Sequence, residues 1–170
     1  DLYFSSDSLL WVAAQNGLWK IDFSNSLVEN FNQSEVLGNQ NILCISPARD
    51  GKLWLGTVGS GVIKFDPISG DTQQITVAQG LSHNTVVGIL VDEAENRWVS
   101  TLDGISVLNT KGKVLFELKK KDGLLGNWFY PNASFKSSDG LMFFGGAGGL
   151  SILKPDHVFS SVLQRQPNRV

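Results

Sequence analysis

The chain has 170 residues, 18 of them glycine, with 14 basic and 16 acidic side chains and a formal net charge of −2. That length suits one ordinary domain, and the near-neutral balance lacks the basic footprint of a nucleic-acid-binding surface; Lys119-Lys120-Lys121, the only basic run, reads as a solvated strand end. A single cysteine excludes an internal disulfide framework and any multi-thiolate metal site, and Ile42, Leu43 and Ile45 around Cys44 mark it as a buried structural thiol.

In chain order, the first short apolar run is Leu2-Tyr3-Phe4, followed by Leu10-Trp11-Val12-Ala13 and Leu18 to Asp22. The same phrase returns as Leu53-Trp54-Leu55-Gly56-Thr57 with Val62 to Asp66, as Arg97-Trp98-Val99-Ser100-Thr101 with Ile105 to Asn109, and as Met142-Phe143-Phe144-Gly145-Gly146 with Leu150 to Lys154. The anchor aromatics lie 43, 44 and 45 residues apart, and each is followed by a turn glycine: Gly17, Gly61, Gly104 and Gly149. A fixed period of this length marks a repeat architecture.

The third copy shows the unit most clearly. Val86–Val91, Arg97–Thr101, Ile105–Leu108 and Val114–Leu118 are four short runs separated by turn signals, which predicts a four-stranded antiparallel meander. Leu53-Trp54-Leu55 is apolar without alternation, so both faces of that strand call for burial. A four-stranded sheet buried on both faces and repeated at this period is a propeller blade. The expected fold is therefore all-β: four consecutive four-stranded antiparallel blades over residues 1–157 (1–36, 37–80, 81–123 and 124–157), with 158–170 as a linker or tail. The last blade lacks a convincing fourth strand. Val158-Phe159 and Val162-Leu163 are weak candidates, Pro167-Asn168-Arg169 looks like a linker, and long 3.6-period helical patterns are absent.

Asp50-Gly51-Lys52-Leu53-Trp54-Leu55-Gly56-Thr57 with Gly61-Val62, and the loops Gly80-Leu81-Ser82-His83-Asn84 and Gly123-Leu124-Leu125-Gly126-Asn127, resemble the two-component regulator propeller family. Ala13-Ala14 in place of Gly-Thr, and Arg97 in place of Leu, depart from that pattern. The resemblance implies a periplasmic or extracellular sensor region of a membrane-spanning histidine kinase or GGDEF-type diguanylate cyclase. It also marks the last copy as a terminal repeat before a small β-sandwich connector.

The residues offer little chemistry. Nucleophilic catalysis needs a nucleophile, a base and an orienting acid together, and the two histidines, His83 and His157, fall in different repeats. Two distant His and one Cys make no metal-ligand set, and Asp92-Glu93-Ala94-Glu95-Asn96 lacks EF-hand spacing. Gly145 to Gly149 precedes a strand, so it reads as packing and a turn, not a phosphate cradle. Asn32-Gln33-Ser34 and Asn132-Ala133-Ser134 match the glycosylation pattern at near-chance frequency. No stretch resembles a signal peptide or a span of about 20 apolar residues, so no direct membrane insertion by this segment is expected.

Propeller ligands sit over the mouth of the ring. Its loops carry Gln15, Asn16, Asn41, Ser60, His83, Asn84, Asp103, Asn127 and Trp128, a set suited to a neutral polyhydroxylated ligand such as a carbohydrate fragment. Trp128 falls outside the anchor register, so it is either core or a ligand contact. The expected function is a non-catalytic sensing module with no cofactor, with a structural or protein-interaction platform and a propeller lyase or hydrolase as alternatives. The four blades close alone, pair with a second copy, or form part of a larger ring; pairing into a dimer is favoured, because open ends would expose apolar strands.

Overall fold

The computed structural model describes residues 1–31, 34 and 36–165. Its strands fall into four antiparallel sheets, each built in sequence order. Blade 1 holds β1 (Leu2–Ser6), β2 (Leu9–Ala14), β3 (Gly17–Asp22) and β4 (Leu27–Asn30). Blade 2 holds β5 (Ile42–Pro47), β6 (Leu53–Thr57), β7 (Val62–Phe65) and β8 (Thr72–Ile75). Blade 3 holds β9 (Val86–Val91), β10 (Arg97–Thr101), β11 (Gly104–Leu108) and β12 (Val114–Leu118). Blade 4 has only β13 (Phe129–Lys136), β14 (Met142–Gly146) and β15 (Gly149–Leu153). Inner strand β5 lies beside β1 and β9, and β13 beside β9, so the first strand of each sheet forms the inner wall.

The period-two alternation of strands gives every copy a direction. Trp11 points forward onto blade 2, in one core with Ile42, Ile45, Leu53 and Leu55. Trp54 points forward onto blade 3, with Val86, Ile89 and Val99, and Trp98 onto blade 4, with Phe129, Met142 and Phe144. The residues on either side of the anchor point back at the preceding blade. This is why Leu53-Trp54-Leu55 reads as continuous burial: each face of the strand belongs to a different joint.

Small residues after the anchor allow the joints to close. A Cβ at Gly56 would run into Cys44 Sγ and lie 2.6 Å from Val86 Cγ1. Cys44 is thereby sealed, and burial pushes its thiol up to about 12. The thiolate is the reactive form, so native protein at pH 8 is expected to leave Ellman's reagent unreacted for an hour. One equivalent should react once the chain is unfolded in urea; rapid reaction of the native state would show that this joint opens.

The Arg97 departure has a structural reason. Facing back, its guanidinium carbon lies 5.2 Å from the centre of the Trp54 ring, and Lys64 Nζ lies 5.3 Å from the same centre. Buried Arg97 also donates to the carbonyl oxygens of Glu95 and Pro47 and pairs with the Glu95 carboxylate. A cation over an indole face is attracted by the ring quadrupole, so Arg97 takes the place of an aliphatic neighbour.

Blade 4 has three strands instead of the four of the regular unit, in keeping with its lack of a convincing fourth run, and the stretch from 158 onward does not begin as the linker or tail expected there. Instead α1 spans Pro155–Arg165; residues 166–170, which hold the Pro167-Asn168-Arg169 segment, lie outside the described residues. Pro155 opens the helix, where its fixed φ is favourable and its missing N–H costs nothing. Val158, Phe159 and Val162 share one face at i, i+1 and i+4, a pattern too short to separate from strand fragments in sequence. Phe159 seats that face, its ring centre 6.0 Å from Trp98 and 5.1 Å from Phe116, so the helix packs on blade 3 rather than completing blade 4. The first glycosylation triplet falls on Asn32 and Gln33, also outside the described residues.

Extensive contacts run from blade 1 to 2, 2 to 3 and 3 to 4, and no comparable contact among the described residues joins β1 or β2 to β13 or β14. The four blades form an open arc.

Candidate functional site

One end of the arc gathers the loops leading into β5, β9 and β13 and the turns that join the second strand of each blade to the third. The turns are fixed from within. Thr57 Oγ1 donates to Gly61 O at 2.8 Å and accepts from Ser60 N at 3.1 Å. Thr101 Oγ1 repeats this with Gly104 O at 2.9 Å and Asp103 N at 3.0 Å. This is the work of the threonine in the Trp-x-Gly-Thr phrase, and Ala14 cannot do it in the first copy.

The asparagines of the Gly-Leu-x-x-Asn loops join neighbouring blades. Asn84 O accepts from Gly61 N of the preceding blade at 2.7 Å, and its Oδ1 accepts from Val77 N at 2.9 Å. Asn127 repeats both contacts, with Gly104 N at 2.7 Å and Lys120 N at 2.7 Å. In each case the residue ties a short 3₁₀ turn to the hairpin beside it. Part of its role is therefore architectural.

Asp103 sits at the centre of the best-defined cluster. Its Oδ2 accepts from Lys119 Nζ at 2.7 Å and its Oδ1 from Asn127 Nδ2 at 3.0 Å. The Lys119 hydrogen bond, with further help from Asn127 and the neighbouring His83, holds the Asp103 carboxyl below the usual carboxylate range. The same hydrogen bond holds the Lys119 ammonium above the usual lysine range. Stability from the depressed carboxyl is present above the ordinary carboxylate range and is lost as pH falls through its lower folded value. Stability from the raised ammonium is present below the ordinary lysine range and is lost as pH rises through its higher folded value. The pair thus stays charged across the whole neutral range. Lys119→Met should move the Asp103 carboxyl titration, followed by carbon-13 NMR, up toward the ordinary carboxylate value; an unchanged midpoint would mean that Lys119 does not set it.

His83 Nδ1 accepts from Thr85 N at 2.9 Å. The neutral ring therefore carries its proton on Nε2, which is left as a donor. Beneath this lies a hydroxyl chain in which Ser106 Oγ donates to Ser82 Oγ at 2.9 Å and Thr101 Oγ1 lies 3.0 Å from Ser82 Oγ. Trp128 is exposed, so of its two readings the core one fails. Chemically the cluster offers a fixed carboxylate, amides and an imidazole donor. Asp103 is held ionised by two donors, which suits hydrogen-bond acceptance from a ligand better than proton transfer.

The structure brings His83, Asn84, Asp103 and Asn127 into blades 2 to 4 of one end, with Ser60 in the turn that Asn84 touches. Gln15 and Asn16 are exposed at the β2–β3 turn and no hydrogen bond links them to this cluster. Asn41 O accepts from Val58 N at 2.9 Å and so anchors the turn of its own blade. Lys119 was not a candidate from sequence: its position in a basic run hides its pairing with Asp103 across the sheet. Grooves of about 600 and 650 Å³ flank α1, and none of the nine candidate residues lines either. Among the described residues no group of three His, Cys, Asp or Glu could hold a metal ion.

Residues 36–59, from the loop before β5 through β6, match the family described as Two component regulator propeller. The segment includes Asn41 and the anchor Trp54, and the anchors Trp98 and Phe143 follow at successive intervals of 44 and 45 residues. Over 165 residues the chain is 27% identical to "Histidine kinase P4" of Formosa agariphila, covering 92% of this chain and 12% of that protein. The chain therefore spans about an eighth of that relative's length. Among solved structures, an extracellular domain of B. thetaiotaomicron described as part of a hybrid two component system superposes with a TM-score of 0.75 at 22% identity, over 91% of this chain and 22% of that one. Virginiamycin B lyase of Staphylococcus aureus superposes at 0.66 and 15% identity, over 90% of this chain and 54% of that one. These likenesses establish the propeller fold.

Proposed function

We propose that this arc is part of the extracytoplasmic sensing region of a bacterial signal-transduction receptor, with no catalytic role of its own. Its mouth-side loops contact a small, neutral, polyhydroxylated ligand of carbohydrate type. The pairing of His83 with Asp103 is the observation that carries the reading: a carboxylate fixed by Lys119 and Asn127 lies near an imidazole, with Asn84 next to it in the same loop. Exposed Trp128 beside Asn127 adds an aromatic face on which a sugar ring could stack. Sequence likeness to a histidine kinase supports the receptor context, with the output domain elsewhere in the polypeptide. No helix among the described residues is long and apolar enough to cross a membrane.

The test is a screen of oligosaccharides against nitrogen-15-labelled protein by NMR. A binder should shift the resonances of His83, Asn84 and Trp128. Asp103→Ala and Trp128→Ala should each then weaken binding at least tenfold. Sugars that shift only residues around α1, or none at all, would overturn this reading.

A further inference from the structure

Equivalent side chains in a repeat have equivalent needs, and one anchor lacks its partner. The hairpin between the first two strands is closed alike in blades 2 and 3. Ala48 N donates to Lys52 O at 2.9 Å and Asp92 N to Asn96 O at 3.1 Å, while Gly51 N donates to Ala48 O and Glu95 N to Asp92 O. Ala48 and Asp92 therefore hold the same position, as do the anchors Trp54 and Trp98. In blade 3 the hairpin carboxylate serves the anchor: Trp98 Nε1 donates to Asp92 Oδ2 at 3.0 Å. In blade 2 an alanine stands there, and the fully buried Trp54 carries an Nε1–H with no acceptor among the described residues.

A second unpaired donor lies in the same joint. Arg97 Nε, also buried, has no acceptor among the described residues. The rest of its guanidinium group places it beside Ala48: Nη2 donates to Pro47 O at 3.3 Å, and Cζ lies 5.2 Å from the centre of the Trp54 ring. Equivalent placement directs Trp54 Nε1 toward Ala48 as Trp98 Nε1 is directed toward Asp92, so both donors meet where alanine is shorter than aspartate by a carboxylate. An indole N–H can only donate, and buried polar groups are paired with protein or with ordered water. We infer that one water molecule is held in the joint between blades 2 and 3, accepting from Trp54 Nε1 and Arg97 Nε in place of the carboxylate that Asp92 gives to Trp98.

The charges select a neutral acceptor. Arg97 Nη1 lies 3.3 Å from Glu95 Oε2, and Lys64 Nζ, the other cation over the Trp54 ring, lies 3.9 Å from Asp50 Oδ2. An anion added to this joint would meet those carboxylates, whereas water would not be repelled. Buried waters are held by two to four hydrogen bonds to groups that otherwise go unpaired, and the two donors supply the lower number. A water here links β6 of blade 2 to β10 of blade 3 through side chains that no direct hydrogen bond joins. The site lies between two inner blades, each covered on both faces, so neither end of the chain forms it. The inference does not depend on the ligand assignment.

The test is water-selective NMR on nitrogen-15-labelled protein, with the indole resonances assigned by Trp54→Phe and Trp98→Phe. In wild type, Trp54 Nε1–H should cross-relax with water, with opposite signs in the laboratory and rotating frames, as a water held longer than the tumbling time requires. Trp98 Nε1–H, which already has Asp92, is the internal reference and should show no such signal. Ala48→Asp supplies the missing acceptor. It should abolish the Trp54 signal, move that indole proton downfield toward the Trp98 position and raise the urea midpoint. Ala48→Leu fills the space without accepting a hydrogen bond, and should abolish the signal while lowering the midpoint. Absence of the signal in wild type, which needs no variant to fold, would overturn the inference, as would its survival in Ala48→Asp. Movement of the Trp54 resonance when bromide replaces chloride would make the acceptor a halide ion and would overturn it too.

Discussion

Trp98→Ala should destabilise the chain by about 4 kcal/mol, at the severe end of core truncations. The ring is fully buried in the joint between blades 3 and 4. It meets Phe116 and Phe159 edge-on at 6.1 and 6.0 Å, so its loss also unseats α1. Its Nε1 donates to Asp92 Oδ2 at 3.0 Å, and the same carboxylate receives Asn96 N and Nδ2 at 2.8 and 2.9 Å. Trp98→Phe keeps most of the volume, loses the fused ring and the indole donor, and should cost about half as much. Urea denaturation followed by far-ultraviolet circular dichroism measures both. A Trp98→Ala loss below about 1 kcal/mol would mean that this joint is not the centre of the fold.

Gly104→Ala should cost about 3 kcal/mol, the upper end of what a strained backbone stores. Gly104 has φ +109°, and an added Cβ would lie 2.5 Å from Leu118 O, a backbone atom of the next strand that cannot step aside. Its N–H also donates to Asn127 O, so the strain is transmitted to the loop that holds Asp103. Gly140 supplies the control: its φ is +84°, yet a Cβ there meets open space. Gly140→Ala should therefore show only the left-handed backbone cost of about 1 kcal/mol. Denaturation midpoints for the two variants separate conformation from collision, and equal losses would mean that the predicted contact with Leu118 relaxes.

The candidate site illustrates what a repeat hides. Aligning copies locates the turns and loops correctly, which is why Asn84, Asp103 and Asn127 come together. It does not distinguish a side chain that faces a ligand from one that fixes a turn. Asn127 spends both of its side-chain polar atoms on Lys120 and Asp103, whereas Trp128 next to it is free. Lys119 could not be found at all, because a lysine in a basic run carries no mark of the carboxylate opposite it.

Sequence alone determined the repeat: period, strand alternation and turn glycines all follow from local backbone preferences and burial on two faces. It also determined the buried thiol, since Cys44 lies between aliphatic neighbours on an inner strand. The fate of the fourth blade was decided by tertiary structure, because eleven residues with one apolar face are stable as a helix only where Trp98 and Phe116 offer a surface to cover. The placement of Arg97 likewise depends on the Trp54 ring, which is 43 positions away in sequence and reaches it only when two blades pack.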